Sequence, residues 1–407
     1  MGKFFGVVLL ILVSGYIGFL FGNKQLSWQF YNYKPSIIVN KEPEVAKQAD
    51  FSMFWTVWDK LGQEYVDKKA LDPKKMIEGA ISGMVSSLGD PYTAYLPATQ
   101  NKDAKADLAG EFGGVGIQLG YKNNILTVVA PVPDTPAERA GVKAGDLILH
   151  IKDLEKKIDL DTDKMAIITA VGYIRGKKGT TVSLTFGREG ASAPIKVDLV
   201  RDTIIDKSVT LKIIDNKIAH LRLSKFGDRT PQEWQDAIAK IGDMPIVLDL
   251  RNNPGGYLEG SVYIASEFLS QGKLVVVQQA GDGSNIEHKV IRNGSLLKNK
   301  LVVLVNEGSA SAAEILSGAL KDHNRAKIIG MKTFGKGSVQ SPEDFPDGSG
   351  IHITVAKWLR PNNEWIDKKG IEPDVKVEPE KIDESKPRDT AAEEQNDLQL
   401  KKAIEML

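Results

Sequence analysis

The feature that most restricts how this chain can fold lies between residues 218 and 330. The runs "IAHLRL" (218–223), "PIVLDLR" (245–251), "KLVVLVN" (300–306) and "AKIIG" (326–330) read as strands, and the second and third are apolar enough to be buried. Segments of helical period separate them: "TPQEWQDAIAKI" (230–241), "GSVYIASEFL" (260–269) and "SASAAEILSGALKD" (309–322). Buried strands that alternate with helices point to a largely parallel sheet joined by crossover helices. "GIHITVAKWLR" (350–360) adds a late strand.

The 407 residues leave room for two or three domains, and the texture changes along them. Residues 4–22, "FFGVVLLILVSGYIGFLFG", are uncharged and about the length a helix needs to cross a bilayer. Lys24, Trp28 and Tyr31 follow, as suits an interface, and no small-residue cleavage site is obvious. This predicts a membrane anchor over 1–24, a cleaved signal peptide being the other reading; either way the bulk of the chain is expected to be exported. Residues 25–48 read as a tether. Residues 49–106 have helical spacing, with Asp72-Pro73 as a start signal and Gly89 as a stop. Short strands and two helical segments over 107–203 fit a compact barrel-like module. The α/β core occupies 204–380, and 381–407 reads as a polar linker with a closing helix.

Composition removes several chemistries. Without cysteine there are no disulfides, thiolate metal sites or cysteine nucleophiles. The five histidines are scattered without ligand-like spacing, so no metal is expected, and no organic cofactor is implied. The 53 basic and 53 acidic residues cancel, so charge gives no reason to expect a nucleic-acid partner.

The chemistry then rests on two serines, Ser309 and Ser311, at the mouth of the helix that follows "KLVVLV". Ser311-Ala-Ala-Glu314 matches a capping box, which would make Ser311 structural. The same position suits a nucleophile, because a helix N-terminus offers free N–H groups where an oxyanion forms. A serine needs a base, and no histidine lies nearby in sequence. Lys336 in "KTFGKGSVQ" is a candidate if Phe334 and Val339 desolvate it; a bland turn lysine is the other reading. Residues 330–336 also match the opening of a phosphate-binding loop, but Gly337 stands where Ser or Thr should follow.

The stretch "NEGSASAAEILSGALKDHNRAKIIGMKTFGKGSVQ" (306–340) resembles the core signature of the carboxy-terminal processing proteases, the tail-specific Ser/Lys peptidases of family S41. "DLRNNPGG" (249–256), "DGSG" (347–350), "KGIEPD" (369–374) and "GMVSSLGDPYTAYL" (83–96) resemble the family as well. The resemblance implies a crotonase/ClpP-like core, a Ser311 nucleophile, a Lys336 base and a Gln340 that holds the lysine in line. It implies oxyanion donors at the backbone of Ala312 and of the glycine pair Gly255 and Gly256. Ala313 departs from the serine many members carry there.

"EFGGVGIQLG" (111–120) resembles the carboxylate-binding loop of a PDZ domain. The residues implied are Gly113, Gly114, Val115, Gly116 and Ile117, with a peptide added to the sheet edge from Ile117 onward. Arg175 is either a solvated turn charge or a contact that senses peptide binding. The expected activity is endoproteolysis of exported polypeptides read by their unstructured C-terminal tails. A second copy of the chain or an activating partner stays open. The alternatives are a PDZ adaptor with an inactive protease-like core, and a CoA enzyme sharing the core architecture.

Overall fold

The computed structural model describes residues 14–16, 26–31, 34–39, 50–122, 125–132, 134–143, 145–163, 165, 167–380 and 396–407. The predicted membrane anchor lies almost wholly outside them. Among the described residues no helix is long and apolar enough to cross a membrane. Two compact units divide the chain between Gly79 and Ala80.

In the first unit, part of the predicted tether is ordered. Strands Leu26–Tyr31 and Lys34–Val39 pair antiparallel, from Leu26 opposite Val39 to Tyr31 opposite Lys34. Aromatic and β-branched residues suit that pairing, although the segment is too short to show a period. Helix Ser52–Glu64 follows and buries none of its residues. Phe54 and Trp55 meet edge to face at 5.0 Å, and Met53, Trp55 and Val57 are exposed.

The second unit holds the module and the core. Helix Pro73–Ser86, which begins in the first unit, starts at the expected proline. The module has a six-stranded sheet in the order Ile195–Val200, Thr181–Gly187, Leu147–Asp153, Ile125–Pro131, Ile117–Lys122, with Ile158–Asp161 branching from Leu147–Asp153. Leu126, Val128, Ile148, Ile151, Leu184 and Phe186 fill its core. The buried Arg201 guanidinium donates to Asp153 at 2.6 Å and to the Ile174 carbonyl at 2.7 Å. Strands Glu111–Gly114 and Asp202–Ile205 pair antiparallel, so the segments entering and leaving the module lie side by side as a stem.

The core sheet runs Val209–Ile214, Ile218–Leu223, Ile246–Asp249, Leu301–Val305, Lys327–Gly330, Val375–Lys376. Only its first pair is antiparallel; the other four pairs are parallel, as the alternating pattern predicts. Strand Leu301–Val305 is buried throughout. Val303 and Val305 join the cluster with helices Thr230–Ile238, Leu258–Phe268 and Ala312–Asp322. Val302 and Leu304 face the opposite cluster with Ala403 and Leu400 of helix Leu398–Glu405. Both faces are therefore covered, which is why these strands read as unbroken apolar runs.

The late strand is present, in a sheet of its own. Gly350–Leu359 does not extend the parallel sheet but belongs to a separate antiparallel one with Asn285–Lys289, Leu274–Ala280, Ser338–Asp344 and Ala94–Leu96. That sheet carries the segment after Lys336 towards the core.

Candidate active site

Ser309 and Ser311 occupy different environments. Ser309 is buried; its hydroxyl donates to the Leu250 carbonyl at 2.8 Å and accepts the Asn306 N–H at 3.0 Å. It is a fastener of the turn. Ser311 is half-buried at the N-cap of helix Ala312–Asp322, with φ 54° and ψ −117°. An L-residue is held in such a conformation only where its surroundings over-determine it. Strained strand-to-helix turns of this kind present a serine hydroxyl at the top of a sheet.

The restraint comes from Glu314, whose side chain is fully buried. One carboxylate oxygen accepts the N–H groups of both Ser311 and Lys336, each at 2.9 Å. The other accepts the Gly335 N–H at 2.7 Å and the Thr333 hydroxyl at 2.5 Å. Two bonds to one oxygen place the backbone nitrogens of Ser311 and Lys336 no farther apart than twice that length. Burial raises the Glu314 pKa, and its four donors oppose the rise. The capping box is thus present, and its glutamate also reaches across the fold. Ser311 and Lys336 are brought together by it.

The Lys336 backbone is fixed a second time, because Trp358 Nε1 donates to its carbonyl at 2.8 Å. Its ammonium lies 4.9 Å from the ring centroid of Tyr92. Burial lowers the Lys336 pKa, against the opposing pull of the Asp90 and Glu314 carboxylates. The expected source of that burial is corrected in part: Phe334 is 56% exposed, whereas Val339 packs against the core. Sequence neighbours of a lysine need not share its face.

Gln340 sits on strand Ser338–Asp344 at a register shift between Val339 and Gln340. Its amide donates to the hydroxyls of Ser338 at 2.9 Å and Thr354 at 3.2 Å. Among the described residues it makes no hydrogen bond to Lys336.

The "PGG" turn closes the site from the other side. A side chain at Gly255, whose φ is +104°, would meet the Ser311 Cβ at 2.8 Å and the Ala312 nitrogen at 3.0 Å. Only glycine fits so close an approach. The Gly255 N–H is committed to Asn253 Oδ1 at 2.8 Å. Among the described residues the N–H groups of Gly256 and Ala312 have no such partner.

In the module, Gly113 and Gly114 lie in the stem, opposite Thr203 and Asp202. A Cβ at Gly113 would stand 2.0 Å from the Gly176 carbonyl, a structural reason for glycine. Buried Val115 and Gly116 form the turn that follows: their carbonyls accept the N–H groups of Ala137 at 2.8 Å and Val132 at 2.9 Å. Ile117 opens the strand at the sheet's end, which among the described residues pairs along one edge alone. The Arg175 guanidinium stacks 3.9 Å over the Phe112 ring and donates to Asp107 at 3.1 Å.

Sequence reasoning assigned Glu314 only a local capping role and gave Tyr92 none. The S-x-x-E spacing signals the glutamate's near contact but not its far ones, and nothing around "DPYT" announces a meeting with Lys336.

Residues 217–377 match the profile of peptidase family S41, residues 113–199 that of a PDZ domain, and residues 12–99 that of the activating protease CtpB N-terminal domain. The chain is 35% identical over 381 residues to the carboxy-terminal processing protease CtpA of Bacillus subtilis, covering 92% of this chain and 77% of that relative. It is 39% identical over 345 residues to a "Probable CtpA-like serine protease" of Staphylococcus epidermidis, covering 83% of this chain and 67% of that one. A "Putative S41 protease" from Bacteroides fragilis shares the fold at a TM-score of 0.52 and 19% identity, over 87% of this chain and 98% of that one. The strained serine at a helix N-terminus, the lysine tied to it and these likenesses agree: the chain belongs to the carboxy-terminal processing proteases, the serine peptidases of family S41, and carries a PDZ domain.

Proposed function

We propose that Ser311 is the nucleophile and Lys336 its general base. The observation that carries the reading is Glu314, which ties the backbones of both residues to one oxygen at a strained helix N-terminus. Neutral Lys336 takes the Ser311 proton as Oγ attacks a peptide carbonyl; it then gives that proton to the leaving amine. The acyl-enzyme is hydrolysed by water in a second step. The uncommitted N–H groups of Ala312 and Gly256 suit the oxyanion, and Gly255 serves by its lack of a side chain. The Gln340 amide nitrogen donates to Ser338 and Thr354, and its oxygen serves as the acceptor that holds the lysine in line.

Peptide tails dock on the module, with the N–H groups around Val115–Gly116 meeting the terminal carboxylate and the edge from Ile117 pairing with the backbone. We read the parallel sheet and its helices as a crotonase/ClpP-like core. Residues 4–22 anchor the chain in a membrane, with the catalytic part on the extracytoplasmic side and exported polypeptides as substrates. The exposed apolar face of helix Ser52–Glu64 suits a second copy or an activating partner. An inactive adaptor would have no use for the strained Ser311.

The test is cleavage of a fluorogenic peptide with a free, unstructured C-terminal tail. Ser311→Ala removes hydrolysis by at least about 10⁴-fold with the fold retained. Ser309→Ala keeps most activity and loses about 1–3 kcal/mol of stability, since it strips a buried turn of its fastener. Hydrolysis that survives in Ser311→Ala ends the reading. Amidating the peptide's C-terminus should raise KM several-fold; indifference to amidation would mean that the module does not read chain ends.

A further inference from the structure

The Lys336 ammonium faces an aromatic ring, and the ring is held by a built turn. Tyr92 donates its N–H to Asp90 Oδ1 at 3.0 Å, and the Thr93 hydroxyl donates to Asp90 Oδ2 at 2.7 Å. Buried Thr93 in turn accepts the Thr354 N–H at 3.0 Å, and Thr354 accepts from Gln340 at 3.2 Å. One short segment therefore touches Lys336 through a ring and Gln340 through a hydrogen-bond chain. Tyr92 also lines a cleft of about 550 Å³ with Asp90, Ser338, Thr354, Trp365 and Asp367. The residue whose ring faces the lysine therefore also borders this cleft.

Resting on the reading of Lys336 as the base, we propose that Tyr92 is a positioning residue: its ring face, fixed by the Asp90 turn, holds the Lys336 ammonium at rest and gives it up when a peptide fills the adjoining cleft. A ring face attracts an ammonium but not a neutral amine. It therefore favours the protonated lysine, the form unable to act as a base. Asp90 and Glu314 act in the same direction on Lys336, burial opposes them, and nearby His352 is itself held low by burial and by the lysine's charge. Burial raises the pKa of the Tyr92 hydroxyl, and Asp367, Glu314 and Asp90 act in the same direction. Occupation of the cleft removes the ring's share of this balance at the moment the base is needed.

The experiment compares Tyr92→Leu and Tyr92→Phe in the full chain, with pH profiles of kcat/KM and of kcat on the fluorogenic peptide. The first profile reports the free enzyme and the second the complex. Leucine keeps an apolar group but has no ring, so its kcat/KM limb should move about 0.5–1 pH unit towards acid, with the kcat limb unmoved. Phenylalanine keeps the ring and should follow the parent. If Tyr92→Leu melts early, Tyr92→Met replaces it. An alkaline shift would mean that the ring merely excludes water, and equal shifts in both profiles that it does not yield to substrate. A Phe variant that behaves like Leu would put the effect in the hydroxyl, and no shift at all would leave the ring no hold on the lysine. Each of these overturns the proposal. Lys336→Ala separates the two readings: if it stays active, the base assignment has failed, whereas a dead Lys336→Ala with flat Tyr92 variants sinks only this inference.

Discussion

Lys336→Arg is expected to be as inactive as Lys336→Ala, with kcat/KM lower by roughly 10⁴-fold or more. A guanidinium keeps its proton at any usable pH, so it supplies charge without basicity. The parent enzyme should show the complementary behaviour. A lysine at its ordinary pKa of about 10.4 is almost wholly protonated at neutrality, whereas burial here lowers the value. Because the neutral form is the active one, the rate should rise with pH and level off below the range of a free lysine. That limb should survive mutation of any of the five histidines. The measurement is a pH–rate profile of each histidine variant beside Lys336→Arg. A rise centred near pH 6.5 that vanishes with one histidine, or an active arginine variant, would remove Lys336 from the mechanism.

Glu314→Ala should damage both stability and turnover. The substitution leaves four donors facing a void: the buried Gly335 N–H and Thr333 hydroxyl, and the partly buried N–H groups of Ser311 and Lys336. Each orphaned donor costs about 1–3 kcal/mol, and neighbours relax together, so the loss is of order 3–5 kcal/mol in all. Turnover falls further, by about 10²-fold or more, because small displacements of a nucleophile and its base are expensive. Glu314→Gln separates the two effects. It keeps the volume and one acceptor oxygen, but its amide nitrogen must face two donors, so about half the stability loss should remain. Urea unfolding gives the first quantity and single-turnover acylation the second. A variant with parent-like acylation would show that the carboxylate is only a fold element.

How far these contacts could be read from residues alone depended on their range. The parallel strands were legible because burial on both faces leaves an unbroken apolar signature, as in Leu301–Val305. The antiparallel sheet was not, because members such as Asn285–Lys289 are exposed and polar and reveal no buried face. The capping spacing of Ser311 and Glu314 exposed a contact within one helical turn. The glutamate's bonds to Gly335 and Lys336 cross from one segment to another, and no local spacing encodes them. Phe334 misled for a related reason: it is exposed, and adjacency in sequence does not say whether an aromatic neighbour buries a lysine. Tyr92 reaches the lysine only through the fold. Its partner segment enters beside strand Ala94–Leu96, whose pairing with Gly350–Leu359 has no sequence mark.

The stem of Glu111–Gly114 against Asp202–Ile205 gives the PDZ module an unusual independence from its host. Its entry and exit are already neighbours, at the spacing of a paired ladder, so the host chain would close at nearly the same point if the whole module were excised. The stem is therefore a socket. Other modules whose ends meet side by side could be exchanged beyond the stem, between residues 114 and 202, without re-threading the catalytic sheet.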